Sequence, residues 1–509
     1  MSASKHPSVG IDLGTTFSTV AHLDDAGRPQ TLVNAEGDLL TPSLVLIDGE
    51  EIIVGKEALK AMGTESEMIA ECAKRDIGRT AYRKVIGGHQ FPPEVIEACV
   101  LKKLREDTAR RIGEFNRCVI TVPAFFDEVR RKATQEAGDM ANLEVMDIIN
   151  EPTAAAVSFG FRQGFLNPDG EAAQELRVLV YDLGGGTFDA TLMEIKGNEF
   201  TAIATDGDVE LGGRDWDQRL VDHVSEQFMI EFGDDPREDP DQAARLWRDC
   251  EDAKRTLSAR KKASIACDYR GHAKKVEITR EMFKELTHDL LDRTQFTTRQ
   301  LLRTSGMDWG SIDRLLLIGG SSRMPMVRDM LQQLAGKAPD DSVSADEAVA
   351  HGAALHAGLL NSKLEGKDSP FRIKNINSHS LGVLATSRKT GRKQNVTLIP
   401  RNTPLPRTHK RVFRTQNANQ KSVVVDIVEG ESNSPDACTL IGKCVIDQLP
   451  ASLPALSPVE VFFHYAENGR LNVTVHVPGT ERQHKQEIQR PASLTPEQRT
   501  AWKEWIWKE

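Results

Sequence analysis

Val180-Tyr181-Asp182-Leu183-Gly184-Gly185-Gly186-Thr187-Phe188-Asp189 decides the fold, because its scheme already occurs near the start as Val9-Gly10-Ile11-Asp12-Leu13-Gly14-Thr15-Thr16-Phe17-Ser18. Each copy sets an Asp at the end of an apolar strand, then a tight turn of glycines and threonines, then another strand. Such a turn can point backbone N–H groups and hydroxyls at phosphate oxygens without side-chain obstruction. The Asp offers a carboxylate to Mg²⁺, an ion that usually keeps several waters. Two such turns facing each other would hold a nucleotide triphosphate between two halves of one domain, so ATP binding is the first hypothesis.

One glycine turn alone is a weak signal, since such turns often only terminate strands. A third turn strengthens it: Leu315-Leu316-Leu317-Ile318-Gly319-Gly320-Ser321-Ser322-Arg323. Three strand-end loops in one α/β region can converge on one crevice.

At 509 residues the chain should hold more than one domain. A formal net charge of −10 argues against a general binder of nucleic acid or of anionic membranes. No apolar run suggests a membrane span, and Met1–Pro7 has no apolar signal-peptide core. The seven cysteines (Cys72, Cys99, Cys118, Cys250, Cys267, Cys438 and Cys444) show no paired CxxC spacing. They read as free thiols in a reducing cytoplasm.

Apolar residues at helical spacing predict a helix over Glu94–Arg111, and a charged helix over Asp127–Ala141. Cys118–Pro123 reads as a buried strand, and Pro152 suits the first position of a helix. Polar composition places a linker at 363–378. From Leu381 to Val477 the pattern is almost all β, with an Asn468-Gly469 hairpin signal between Val459–Tyr465 and Leu471–Val477. Ser493, Thr495 and Pro496 start a final short amphipathic helix carrying Trp502, Trp505, Ile506 and Trp507. These tryptophans are expected to cap the β-rich part, with partner binding or a neighbour's cleft as alternatives.

Glu251, Lys254, Arg255 and Ser258 share one helical face beside an apolar stripe of Leu246, Cys250, Ala253 and Leu257. A carboxylate, a guanidinium and a hydroxyl suit an adenine and its ribose; a solvated face with intrahelical pairs is the other reading. Lys74 and Arg75 taken alone read as a solvent-facing pair, and Glu151 before Pro152 reads as an N-terminal helix charge that complements the dipole.

GIDLGTTFS, AKRDIGR, VITVPAFF, IINEPTAAA, YDLGGGTFDAT, LGGRDWD, CEDAKRTLS, LLIGGSSRMP and ADEAVAHGAAL occur in that order. Together they resemble the ATPase domain of DnaK-type chaperones, the heat shock protein 70 family. SHSLGV, LIPRNTPLP, VFRTQNANQKSVVVDIVEGE and ENGRLNVTV resemble that family's peptide-binding part. The resemblance implies an α/β actin-like ATPase domain of two lobes (1–362), a linker (363–378), an all-β sandwich that binds peptide (379–492) and a short helical remnant of the lid (493–509). It implies ATP or ADP with Mg²⁺ and K⁺. Asp12, Asp182 and Glu151 would serve the metal. Gly14, Thr15, Thr16, Gly184, Gly185, Gly186 and Thr187 would surround the phosphates. Lys74 would meet the γ-phosphate and the attacking water, with Glu151, Asp182, Asp189 and Thr187 assisting. Glu251, Lys254, Arg255, Ser258, Gly319, Gly320, Ser321, Arg323 and Asp346 would form the nucleoside side. Pro123 and Arg131 match positions tied to communication between the domains.

Val383, Phe413, Val423 and Val425 would line a cleft for unfolded or extended polypeptide, although alternating Val and Phe look identical in plain sandwich core. The family's partners include J-domain co-chaperones and nucleotide-exchange factors.

Several departures bear on function. Phe371, Ile373 and Ile376 among cations replace the family's leucine-rich linker and are expected to dock differently. Asp147 reverses the charge where bacterial members usually carry an Arg that engages J-domain proteins. Little remains of the lid, so short-lived peptide capture is expected. Thr386 and Gln416 stand where the family tends to place an apolar arch. The leading expectation is an ATP-dependent chaperone. The alternatives are an ATP-switched scaffold and a small-molecule kinase of the same fold.

Overall fold

The computed structural model describes residues 7–166, 175–367, 369, 371–387, 389–466, 470–480, 483–487 (backbone only) and 494–508. The Asn468-Gly469 signal and Ser493 lie outside them.

The duplication read from the glycine turns is a duplication of sheets. In the first sheet Ser8–Asp12 pairs antiparallel with Phe17–Leu23, which pairs with Pro29–Leu32. Arg117–Val122 and then Glu144–Asn150 add in parallel on the other side. In the second sheet Glu175–Leu183 pairs antiparallel with Phe188–Lys196, which pairs with Glu199–Asp208. Arg314–Ile318 adds in parallel beside Glu175–Leu183. Both phosphate-type turns are therefore hairpin connections at equivalent places, each leaving the strand that ends in its Asp.

Two small-residue helices join the lobes. Glu151–Arg162 and Ala348–Leu364 are buried along most of their lengths and cross where a Cβ on Gly352 would run into the Ala154 carbonyl. The second of them also lies directly on the first sheet, because Gly10 leaves room for the Ala353–Ala354 backbone. Smaller elements rise from each lobe to wall the cleft. The first lobe contributes a three-stranded sheet (Glu51–Val54, Leu44–Asp48, Ile69–Glu71), and the second the Lys262–Tyr269/His272–Thr279 hairpin with helices Gly213–Phe232 and Pro240–Ala259.

The β-rich part is a sandwich of two four-stranded sheets. One runs Lys393–Ile399, Leu381–Thr386, Val423–Glu429, Thr439–Ile446; the other runs Arg407–Arg414, Pro458–Tyr465, Leu471–His476, Gln483–Glu487. Their inward alternating residues, including Val383, Val425, Ile427, Val461, Phe463 and Val473, make one apolar core.

The linker region is not a free tether. Arg372–Lys374 adds in parallel to the edge of the second sheet, opposite Glu199, Phe200 and Thr201. Phe371 and Ile373 are buried in the core shared by the two joining helices, with Phe371 edge-on to Phe200 at 5.9 Å. The turn after Val122 receives the sandwich. His379 packs on the Phe125 ring (4.3 Å) and its Nε2 lies 3.0 Å from the Phe125 carbonyl oxygen. Arg401 donates to the Thr205 carbonyl (2.8 Å) and pairs with Asp206. Glu429 accepts the Glu128 amide (3.1 Å), and the Tyr465 hydroxyl donates to the Glu128 carboxylate (2.5 Å).

The tryptophan expectation is corrected. The final helix, Pro496–Ile506, starts with Thr495 as cap and docks on the first lobe rather than on the sandwich. Trp502 and Trp505 flank Phe91 at 5.6 and 5.5 Å, Lys102 and Arg105 lie over Trp507, and the Trp507 indole donates to the Met140 carbonyl (3.0 Å). The surface that takes them lies between the Pro93–Ile112 and Glu128–Met140 helices and already had an apolar floor. Among the described residues no helix is long and apolar enough to cross a membrane.

Candidate functional site: the cleft between the lobes

The second glycine turn is pinched between two neighbours. The amides of Gly213 and Arg214, at the start of the Gly213–Phe232 helix, donate to the carbonyls of Gly184 and Gly185, both at 2.9 Å. From the other side, a Cβ on Gly185 would lie 2.5 Å from Thr16 Oγ1, and one on Gly186 would lie 2.5 Å from Thr15 Oγ1. The two turns thus face each other closely because the second has no side chains. The first turn is braced by Ser43, whose hydroxyl donates to the Gly14 carbonyl (2.8 Å). Gly319 has φ +78°, a conformation that favours glycine, and its missing Cβ leaves room for the Leu183 carbonyl.

Between the turns lies a cavity of about 450 Å³. Asp12, Gly14, Thr15, Thr16, Lys74, Glu151, Asp182, Gly184, Gly185 and Thr187 line one end. Glu251, Lys254, Arg255, Ser258, Gly319, Gly320, Ser321, Arg323 and Asp346 line the other. All come from the sequence-predicted set. Two predicted members do not line it. Gly186 sits behind the turn, where its carbonyl accepts from Arg75 Nε (2.9 Å). Asp189 is buried one strand away and accepts the Phe125 amide (2.9 Å).

Lys74 is the hub of the deep end. It is buried, and its ammonium donates to the Leu13 carbonyl (2.5 Å) and to Glu151 (2.6 Å). Burial works against its charge, but Glu151 and Asp12 outweigh that and hold its pKa above the ordinary value. The acids around it are crowded. Burial first, and then the charge of Glu151, push Asp12 up to about 7 and Asp189 up to about 8. Burial with the charges of Glu151, Asp189 and Asp12 raises Asp182 well above the usual carboxylate range. Four carboxyls around one ammonium leave the site short of positive charge. Asp12 and Asp182 present two carboxylates rather than a closed cage, which suits Mg²⁺ held by one or two carboxylates together with waters and phosphate oxygens.

At the outer end the helix Pro240–Ala259 behaves in both of the ways its sequence allowed. Glu251 and Arg255 make an intrahelical pair (2.5 Å) while both line the cavity. The Arg255 guanidinium stands 5.0 Å from the Phe17 ring centre and closes the cleft mouth from the opposite lobe. Lys254 is turned down onto Asp217 (2.7 Å) and the Gly213 carbonyl (3.1 Å). Arg323 pairs with Asp346 (2.6 Å).

Sequence reasoning passed over Phe17, Arg214 and Asp217, all of which line the cavity. They stood inside quoted motifs, but nothing in their spacing distinguished them from neighbours. Arg214 binds Glu71 of the first lobe through both terminal nitrogens (2.6 and 2.9 Å), and Arg75 reaches Asp215 in the reverse sense (2.5 Å). These crossed pairs join the walls of the cleft.

Asp147 is not a free surface acid. Its carboxylate lies 2.8 Å from His356 Nε2 and accepts the Ile148 amide. In the sandwich, Val383, Val423 and Val425 are buried in the core and Phe413 lies partly buried at its edge. Gln416 donates to the Thr386 hydroxyl (2.9 Å), so the two arch positions are directly bridged.

The family model described as "Hsp70 protein" matches residues 8–87 and 80–503. The chain belongs to the Hsp70 family. It is 35% identical to "Chaperone protein DnaK" of Halobacterium salinarum over 497 residues, covering 96% of this chain and 76% of that protein. It is 36% identical to "Chaperone protein DnaK" of Thermotoga neapolitana over 492 residues, covering 95% and 80% respectively.

Proposed function

We infer that this Hsp70-family chain is an ATP-dependent chaperone, hydrolysing ATP to ADP and phosphate and coupling this to binding and release of unfolded or extended polypeptide. The observation that carries the reading is the cavity between two facing glycine turns with the buried Lys74–Glu151 pair at its deep end. Hydrolysis of a phosphoanhydride needs positioning and charge neutralisation more than covalent chemistry. Gly14, Thr15, Thr16, Gly184, Gly185 and Thr187 would bind the phosphates, and Glu251, Arg255, Ser258 and Arg323 the nucleoside. Asp12 and Asp182, with Glu151 nearby, would hold hydrated Mg²⁺, which when bound offsets phosphate charge. K⁺ is proposed as a second cation beside the phosphates. Lys74, fixed by Glu151 and the Leu13 carbonyl, would place its charge at the γ-phosphate and orient the attacking water.

Asp189 supplies the coupling in this reading. It stands next to the cleft in sequence and in space, yet its carboxylate holds the Phe125 amide, and Phe125 carries His379 of the sandwich. Movement at the second turn would reach the sandwich through that chain of contacts. We propose the division into an ATPase domain (1–362), linker (363–378), sandwich (379–492) and a short helical segment (493–509), and a cytoplasmic location. Engagement of a J-domain partner at Asp147 is not part of the proposal, because that acid is occupied by His356. A nucleotide-exchange factor is the expected partner of the ATPase lobes.

The scaffold reading keeps one observation in its favour: Val383, Val423 and Val425 are core residues of the sandwich. Peptide affinity measured with ATP and with ADP separates the two. Nucleotide-dependent peptide affinity supports the chaperone, and indifference supports the scaffold. For the cleft itself, Lys74→Ala should retain ATP binding and lose most hydrolysis. Single-turnover hydrolysis at a near-normal rate in that variant would remove Lys74 from the mechanism.

A further inference from the structure

Charge is unevenly shared along this chain. Residues 379–492 carry 15 Lys and Arg against nine Asp and Glu, a formal charge of +6 inside a chain whose total is −10. The rest of the chain is correspondingly acidic. Most of the positive excess sits in three segments. Residues 386–393, 414–422 and 447–457 hold six cations and a single acid, Asp447.

The fold gathers these segments at one end of the sandwich. The hydrogen bond from Gln416 to Thr386 joins the first two. The Thr415 amide donates to the Ser457 carbonyl (3.0 Å) and the Asn419 amide to the Leu453 carbonyl (2.8 Å), which brings in the third. Strand register places that end away from the lobes. Leu381 stands opposite Ile399 and Glu429, and Arg407 opposite Tyr465, at the end that docks. Thr386 stands opposite Lys393, Val423 opposite Ile446 and Arg414 opposite Pro458, at the far end. Phe413 and Val423, two of the residues expected at the peptide cleft, belong to the far end.

The cations there have few partners. Among the described residues Lys389, Arg392, Arg414 and Lys421 are exposed and make no ion pair. Arg414 reaches only the Leu456 carbonyl (3.0 Å). Docking onto the acidic lobes does not account for them, because the junction uses other charges, with Arg401 on Asp206. Exposed cations often face only water, and one exposed ion pair contributes little. Several of one sign around one ligand act together, through the field they sum to.

We propose that this end of the sandwich selects extended polypeptide segments whose flanks carry Asp or Glu. The inference rests on the peptide-binding reading given above and names the class of segment that reading leaves open. The arch positions fit it, since Thr386 and Gln416 offer polar groups where an acidic segment would pass. Nucleic acid is the other polyanion that a basic surface takes. Sites for single strands add aromatic side chains on which bases stack. The three segments contain no aromatic residue, and the neighbouring Phe413 packs against the sandwich core.

The test uses the full chain with ADP and three fluorescent peptides that share a leucine core. Their flanks are aspartates, serines or lysines, and anisotropy reads the affinity of each. The aspartate peptide should bind roughly tenfold tighter than the lysine peptide at low salt, with the serine peptide between them. High salt should remove most of the difference, because exposed charges are screened. Arg392→Glu combined with Lys421→Glu should erase the preference. The ratio is read within one protein, so a general loss of binding in the variant does not imitate that result.

Equal affinities for the three peptides, or a lysine preference, overturn the proposal. So does an aspartate preference that the double variant keeps. Displacement of the aspartate peptide by an equal concentration of oligothymidylate assigns the cations to nucleic acid and overturns it as well. Absence of binding by all three peptides removes the peptide reading itself, and the proposal with it.

Discussion

Gly212→Ala should disable the cleft by pressing on the second phosphate turn from behind. Gly212 precedes the Gly213–Phe232 helix in extended backbone, so alanine brings no conformational penalty of its own. The difficulty is space. A Cβ there would stand 2.5 Å from the Gly186 nitrogen, 2.6 Å from the Gly186 carbonyl carbon and 2.7 Å from the Gly185 carbonyl carbon. Ordinary contact needs about 3.5 Å, so the turn must retreat by about 1 Å. It has nowhere to go, since Thr15 and Thr16 already fill the sites where Gly185 and Gly186 would carry side chains. Overpacking of this kind costs about 1–3 kcal/mol of stability. A shift of about 1 Å at the phosphates costs on the order of a hundredfold in turnover, or about 2.7 kcal/mol of barrier. Single-turnover ATP hydrolysis and equilibrium ATP titration on the folded variant measure both effects. Parent-like rate and affinity in Gly212→Ala would show that the turn can move without consequence, and would refute the picture of two turns locked face to face.

Other expectations follow from the contacts between the parts. Burial, reinforced by the charges of Asp127 and Glu128, raises the Glu429 carboxyl well above its ordinary range, with Arg131 opposing. A carboxyl with a raised pKa in the docked state takes up a proton on docking. Sandwich docking should therefore strengthen as pH falls toward the ordinary carboxylate range and weaken as pH rises. Glu429→Gln should flatten that dependence, read by hydrogen exchange across 123–128 between pH 6 and 8; an identical slope in the variant would contradict it. Trp505→Ala should loosen the terminal helix by about 2 kcal/mol, less than the about 3–5 kcal/mol of a fully buried Trp→Ala, because the ring is only partly covered. Faster amide exchange confined to Pro496–Ile506 is the expected sign, and unchanged exchange there argues against the docking.

The deep end of the cleft was legible because glycine turns after strands are local chemistry. Asp12, Asp182 and the turn residues Gly14, Thr15, Thr16, Gly184, Gly185 and Thr187 line one cavity, whereas Gly186 does not. Lys74 and Glu151 were legible only by resemblance, since a Lys and a Glu far apart in sequence reveal nothing of a 2.6 Å buried contact. Phe17, Arg214 and Gly212 were missed for the same reason. Each matters through a partner on another element, and spacing along one helix or strand does not specify that partner. The tryptophans are the sharpest case. Their spacing showed an apolar helix face, but the surface able to take it, between two helices of the first lobe, is created by the tertiary fold. Asp147 reads as an exposed acid until His356 arrives from the far end of the chain.

The three-residue strand Arg372–Lys374 has one more consequence. It covers the edge of the second sheet, so any state in which the linker leaves exposes the main-chain groups of Glu199, Phe200 and Thr201 together with its own. Bare edges invite pairing with other chains, and short length and basic flanks are among the devices that discourage it. Arg372 and Lys374 bracket the apolar Ile373, and Lys374 spans to Glu199 at 2.7 Å when docked. The cations that set this linker apart in sequence thus equip it for time spent undocked. They attract Glu199 on the edge to which the linker must return and repel a second copy of themselves.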